Sequence, residues 1–280
     1  MNNINLTSGM RQNLFSLQNT MSLMNKTQNR LATGLRVRSA LDDPVAFFTA
    51  QGHTQRASDL ASRKDEMAES VQLLTAANNA IESITDLIAS AKSLATSALS
   101  GETTSEINTL ESQYNDILDQ IDFMGDDAGY KGVNLLDSTA IVEEVKFDEK
   151  GDSKLTITGF DAGATGATLS LATIGTNDWV SAGGTADKAE INSAISRLDD
   201  AKTALRTEAK KMATNLSTIT IRQDFTANLI NTLKDGATNL TNADMNEEGA
   251  NMLMLQTRQA LGTTSLSMAS QAAQSILRLF

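Results

Sequence analysis

The chain has 280 residues, 40% of them hydrophobic and 4% aromatic, with a single proline, no cysteine and a formal net charge of −11. The missing cysteine excludes disulfides, thiolate nucleophiles and cysteine-based metal sites, and the acidic balance disfavours a general nucleic-acid or anionic-membrane binder. One proline in so long a chain, with apolar positions filled by Leu, Ile, Met and Ala rather than rings, predicts long helices, because an interior proline costs a helix about 3 kcal/mol.

The first element is patterned as Leu14, Leu17, Met21, Met24, Gln28, Leu31 and Leu35. Alternating steps of three and four make the seam of a coiled coil. The residues before it lack the basic head and long apolar stretch of a cleaved signal peptide, so export, if it occurs, is expected to use another route. Gly34 stands where a helix would end in a left-handed cap. Leu41-Asp42-Asp43-Pro44 follows, with Asp43 placed to cap a second helix and Pro44 in its first turn, where no backbone donor is needed. The lone His53 falls on that helix and reads as a packing or surface residue.

The second seam is Leu74, Ala77, Ile81, Ile84, Ile88, Ala91, Ala95 and Ala98, whose alanine-rich end implies close approach of neighbouring helices. Ser100-Gly101 breaks it. A shorter helix carries Ile107, Leu110, Tyr114, Ile117, Ile121 and Met124 and ends near Gly125. Residues 129–187 hold about half of the glycines and three period-2 runs, at Val145/Phe147, Leu155/Ile157 and Leu169/Leu171, which predict short strands joined by turns. So few apolar groups predict a small β insertion leaning on the helices. Helical rhythm returns near Asp187 with Ile191, Ala194, Leu198, Ala201, Leu205 and Met212, then Leu216, Ile219, Leu229 and Leu233. A loop is expected over 235–242. The last seam is Met252, Leu255, Gln259, Gly262, Leu266, Ala269, Ala273, Ile276 and Phe280, again in threes and fours. The expected fold is mainly α: long antiparallel helices in a coiled-coil bundle built by the two halves of the chain, with a small β-rich insertion between them.

The two ends share a charge pattern. No Asp or Glu precedes Asp42 and none follows Glu248, which leaves Arg11, Lys26, Arg30, Arg36 and Arg38 at the front and Arg258 and Arg278 at the back. These charges are too dilute for a nucleic-acid arm. Both ends also carry apolar residues off their seams, including Ile4, Leu6, Phe15 and Leu23, and Leu253, Met254, Leu261, Leu277 and Leu279. Apolar groups on more than one helix face imply further partners. The ends are therefore expected to be frayed alone and helical on assembly, paired with each other.

No constellation supports catalysis, a metal or a cofactor. Asp126-Asp127 lacks calcium-loop spacing and reads as a helix-end turn, and Gly151-Asp152-Ser153 reads as a turn rather than a phosphate loop. No apolar run approaches the roughly 20 residues of a membrane span.

Arg30-Leu-Ala-Thr-Gly-Leu-Arg-Val-Arg-Ser-Ala-Leu-Asp-Asp-Pro44 resembles the N-terminal signature of bacterial flagellin. Ser93-Leu-Ala-Thr-Ser-Ala98, Tyr130-Lys-Gly-Val-Asn-Leu-Leu136 and the closing Gln271-Ala-Ala-Gln-Ser-Ile-Leu-Arg-Leu-Phe280 are similar to further landmarks of that family, in order and at the expected distances from each end. The likeness skips the middle of the chain. It implies a filament subunit for motility, exported unfolded by the flagellar type III system and extracellular in the filament. Its implied partners are other copies, the filament cap, hook-junction proteins, an export chaperone and the export gate, with no nucleic acid and no membrane insertion.

By that resemblance, 1–44 with 240–280 form an inner coiled-coil tube, 45–137 with 188–239 an outer helical layer, and 138–187 a short surface insertion. The inner assembly residues are then Leu14, Leu17, Met21, Met24, Leu31, Leu35, Met252, Leu255, Leu266, Ala269, Ala273, Ile276 and Phe280. The outer ones are Ile81, Ile84, Ile88, Ile107, Leu110, Ile117, Ile121, Leu198 and Leu205, and Gly34, Asp42, Asp43 and Pro44 form the linker. Flagellins sensed by the vertebrate innate immune receptor carry an Arg and a Glu where this chain has Ser90 and Gln113, so weak receptor activation is expected. A hook–filament junction protein of the same superfamily is the nearest alternative, and a coiled-coil signalling module the alternative from another class.

Overall fold

The computed structural model describes residues 8–277. Among them are five helices and two strands: α1 (Ser8–Thr33), α2 (Pro44–Ala98), α3 (Thr104–Asp127), β1 (Val142–Lys146), β2 (Lys154–Thr158), α4 (Lys188–Thr241) and α5 (Met245–Leu277). The fold is mainly α with a minor β element, as the periodicity predicts. The chain divides into two compact units, one gathering the chain up to Gln55 and from Thr232 onward, the other Arg56–Asn231.

In the first unit α1 packs against α5. Arg30 meets Glu248 and Leu17 meets Gly262, so the two helices run antiparallel. Gly34 ends α1 at φ +70°, with its N–H donating to Arg30 O at 2.7 Å, the left-handed cap expected of it. The chain beyond it is stitched to the α4–α5 turn: the N–H groups of Arg36 and Val37 both donate to Thr241 O, and that of Ala243 to Gly34 O. Asp43 Oδ1 accepts the Ala46 N–H at 3.0 Å and starts α2.

The expected loop at 235–242 is instead helix. Asp235-Gly236 does not break α4, which runs to Thr241. A helical glycine costs only about 1 kcal/mol, and burial of Leu233 and Ala237 on the same face outweighs it. The turn shrinks to 242–244, where Asp244 Oδ1 caps α5 by accepting the N–H groups of Asn246 and Glu247.

In the second unit α2, α3 and α4 share one core. Its α2 stripe is the predicted seam from Leu74 to Ala98, and its α4 stripe runs through Ile191, Ala194, Leu198, Ala201, Leu205, Met212 and Ile219. β1 and β2 form an antiparallel pair with Val145 opposite Leu155. The third expected strand does not form. Leu169 and Leu171 are buried, but Ser170 between them sits at φ +50° and its N–H donates to Gly166 O, a turn that mimics strand alternation. The insertion shares the helices' core through Phe147, Ile157, Phe160 and Trp179.

Candidate assembly surfaces

The α1–α5 seam is narrow. On α1 the inward positions are Met10, Leu17, Thr20, Met24, Thr27 and Leu31, while Leu14 and Met21 are 40% and 45% exposed and Leu35 is half-buried. Leu17, Met24 and Leu31 were legible from the rhythm. The alternate positions were not: Thr20 and Thr27 take the places expected for Met21 and Gln28, so the seam keeps its seven-residue repeat but is rotated by one position about α1. On α5 the inward stripe is Met252, Leu255, Gln259, Gly262, Leu266 and Ala269, the expected set. Phe280 and the side chains of Ala273 and Ile276 lie outside the described residues. Gly262 permits close approach, since a Cβ there would lie 3.0 Å from Leu17 Cδ1.

One ion pair crosses this seam. Arg30 Nη1 lies 2.6 Å from Glu248 Oε1, with the Glu248 side chain 7% and the Arg30 side chain 25% exposed. The pair is single-pronged, leaving Arg30 Nε and Glu248 Oε2 buried without a hydrogen-bond partner. Each charge also suits its helix end, Arg30 in the last turn of α1 and Glu248 in the first turn of α5. Sequence reading missed the pair, although the signal was available: Glu248 is the last acid before the acid-free tail.

Away from the seam several large apolar groups of the hairpin are uncovered. Phe15 and Leu23 on α1, and Leu253, Met254, Leu261 and Met268 on α5, are each about half exposed or more. Large apolar groups exposed on more than one helix face suit a further partner. The Arg36 guanidinium donates to Leu240 O at 3.4 Å. Arg278 lies outside the described residues.

The residues expected to assemble the outer layer behave differently. Ile81, Ile84, Ile88, Ile107, Ile121, Leu198 and Leu205 are at most 3% exposed, and Leu110 and Ile117 pack on the same core. The first seven belong to the interior of this chain, while Leu110 and Ile117 stay partly exposed. The uncovered apolar groups of this unit are Phe123, Val142, Ile221 and Phe225.

A polar face of α3 holds the insertion. Glu111, 3% exposed, accepts the N–H groups of Asn177 at 2.9 Å and Trp179 at 3.0 Å. Asn115 exchanges two bonds with the Ile174 backbone, and Asp122 Oδ1 accepts the Ala164 N–H. Trp179 then stacks at a tilt on Tyr114, ring centres 5.0 Å apart, and burial pushes the Tyr114 phenol up to about 12. Glu111, Asn115 and Asp122 recur at helical spacing, so this second stripe was readable beside the apolar one. Ser90 and Gln113 are both exposed, and the Ser90 hydroxyl bonds back to Asp86 O.

Among the described residues no helix is long and apolar enough to cross a membrane, and no cluster of His, Asp or Glu could hold a metal ion.

Family models agree with the terminal pattern. One described as the bacterial flagellin N-terminal helical region matches residues 2–140, and one described as the C-terminal helical region matches 189–280. Flagellin FljK of Caulobacter vibrioides is 32% identical over the whole of this chain and 99% of its own. A flagellin of Brucella melitensis is 28% identical over 95% of both chains. The solved Bacillus cereus flagellin aligns with 57% of this chain and 88% of its own, at 21% identity and a TM-score of 0.47.

Proposed function

Since this chain belongs to the bacterial flagellin family and is a filament subunit, we propose that the α1–α5 hairpin is the element that joins copies along the filament axis. The observation that carries this reading is the helix pair, α1 without acid and α5 acidic only at Glu247 and Glu248 in its first turn, that buries one narrow stripe and leaves Phe15, Leu23, Leu253 and Leu261 uncovered. Burying unpaired carboxylates on a crowded axis would multiply like-charge repulsion with every added subunit; α1 has none, and the buried Glu248 of α5 is paired with Arg30. Residues 1–44 with 240–280 then line the inner tube, 45–137 with 188–239 the outer layer, and 138–187 the surface. The role is structural rather than enzymatic, and the filament lies outside the cell.

On this reading the terminal helices stay frayed until assembly, which suits passage through a narrow export channel. An export chaperone, the export gate, the cap and the hook-junction proteins are the partners met on the way. Limited proteolysis tests it: cleavage within 8–33 and 245–277 in dilute monomer, and protection of the same segments in filaments. Equal protection in dilute monomer would count against it.

Ser90 and Gln113 remove the two charged groups through which the innate immune receptor would form charge-assisted bonds. Weak activation in receptor reporter cells is expected, rising in the variant Ser90→Arg/Gln113→Glu. A potent response to the unmodified chain overturns this reading.

A further inference from the structure

The connection between α1 and α2 presents a leucine that nothing in its own chain covers. Leu41 is 97% exposed and Val45 is 76% exposed. The loop beneath is not slack. Asp42 Oδ2 accepts the N–H groups of Arg38 at 3.1 Å and Ser39 at 3.3 Å, and the Asp42 N–H donates to Ser39 O at 3.1 Å. An apolar side chain held outward by these bonds loses little freedom on docking.

The same unit carries an apolar groove of about 380 Å³ walled by Leu35, Val37, Phe47, Ala50 and Ala237. Arg38 stands on its lining, while the leucine is flanked by Asp42 and Asp43. The protruding piece is thus apolar with acidic neighbours, and the receiving piece is apolar with a basic neighbour. The apolar wall and the charge of the groove suit this loop.

We propose that Leu41 of one copy seats in the Phe47–Ala237 groove of a second copy. The inference rests on the filament reading and adds a residue-level contact to it. Knob and groove are unlike surfaces of one segment, so in a filament each copy gives one knob and receives another. One side chain and its flanks bury far less than the roughly 1,000 Å² that a stable pair needs. The contact therefore forms only where other surfaces already align the copies and raise their effective concentration.

The chain lacks cysteine, so two introduced thiols report on one distance. Leu41→Cys and Thr238→Cys, made on separate chains, are mixed, grown on unmodified seeds and oxidised. Disulfide-linked dimers containing one of each variant are expected in the filaments, and none in the same mixture kept unassembled. Filaments that grow normally without such dimers overturn the contact and leave the filament reading intact. Failure of the unmodified chain to form filaments overturns both. A second readout does not depend on cross-linking: Leu41→Asp should keep the monomer's circular dichroism and raise the critical concentration for growth by about tenfold or more. An unchanged critical concentration contradicts the proposal.

Discussion

Replacing Glu248 with glutamine keeps the shape of the α1–α5 seam and removes the carboxylate charge opposite Arg30. Removing one partner of a fully buried pair costs about 3–5 kcal/mol, while exposed pairs are worth about 0–1 kcal/mol. This pair lies between those limits. Glu248 is 7% exposed, but Arg30 keeps a quarter of its side chain in water, and a single 2.6 Å bond joins them. The helix-end placement adds a few tenths of a kcal/mol. The expected loss is about 2 kcal/mol, or about thirtyfold in an equilibrium constant. Seeded filament growth reads this directly, as a critical concentration raised by that factor. The double variant Arg30→Gln/Glu248→Gln should recover at least half of the loss, because no buried charge is then stranded. A Glu248→Gln critical concentration within threefold of the unmodified chain, or a double variant no better than the single, would refute the reasoning.

Two further predictions concern the second unit. Glu111→Ala strands the N–H groups of Asn177 and Trp179 in the interior and should destabilise that unit by about 3 kcal/mol, read by chemical denaturation; a loss under 1 kcal/mol would mean that water replaces the carboxylate there. Tyr114 has a folded value near 12, above its ordinary value of 10. Its neutral form is favoured in the fold, so its contribution is fully present below pH 10 and is lost as pH rises toward 12. Ultraviolet titration should show this phenolate appearing late and together with loss of circular dichroism, and its full appearance near pH 10 in a native spectrum would contradict the burial.

The long helices were legible because burial repeats with helical period. The stretch from Leu74 to Ala98 and the run from Ile191 to Met212 describe the core of the second unit residue by residue. The caps were legible too, since Gly34 and Asp43 have few other uses at those positions. What escaped was set by tertiary partners. Gly236 reads as a breaker until the burial of its neighbours is known, and Leu169/Leu171 reads as a strand until Ser170 is seen in a left-handed turn. Thr20 and Thr27 entered the seam against the hydrophobic pattern because the rotation of α1 about its axis, set by packing on α5, decides which side chains face inward. The apolar rhythm alone also could not separate residues that build one subunit from residues that join two. Ile84 and Leu14 both sit on a seam in the sequence, and only their exposure, 0% against 40%, tells them apart.

The central claim is that copies cannot join without the terminal hairpin. Deleting residues 250–280 tests it most directly. The shortened chain should keep the helical signal and cooperative unfolding of the second unit, yet electron microscopy should find no filaments even on unmodified seeds. Filaments of ordinary length from the shortened chain would contradict the account.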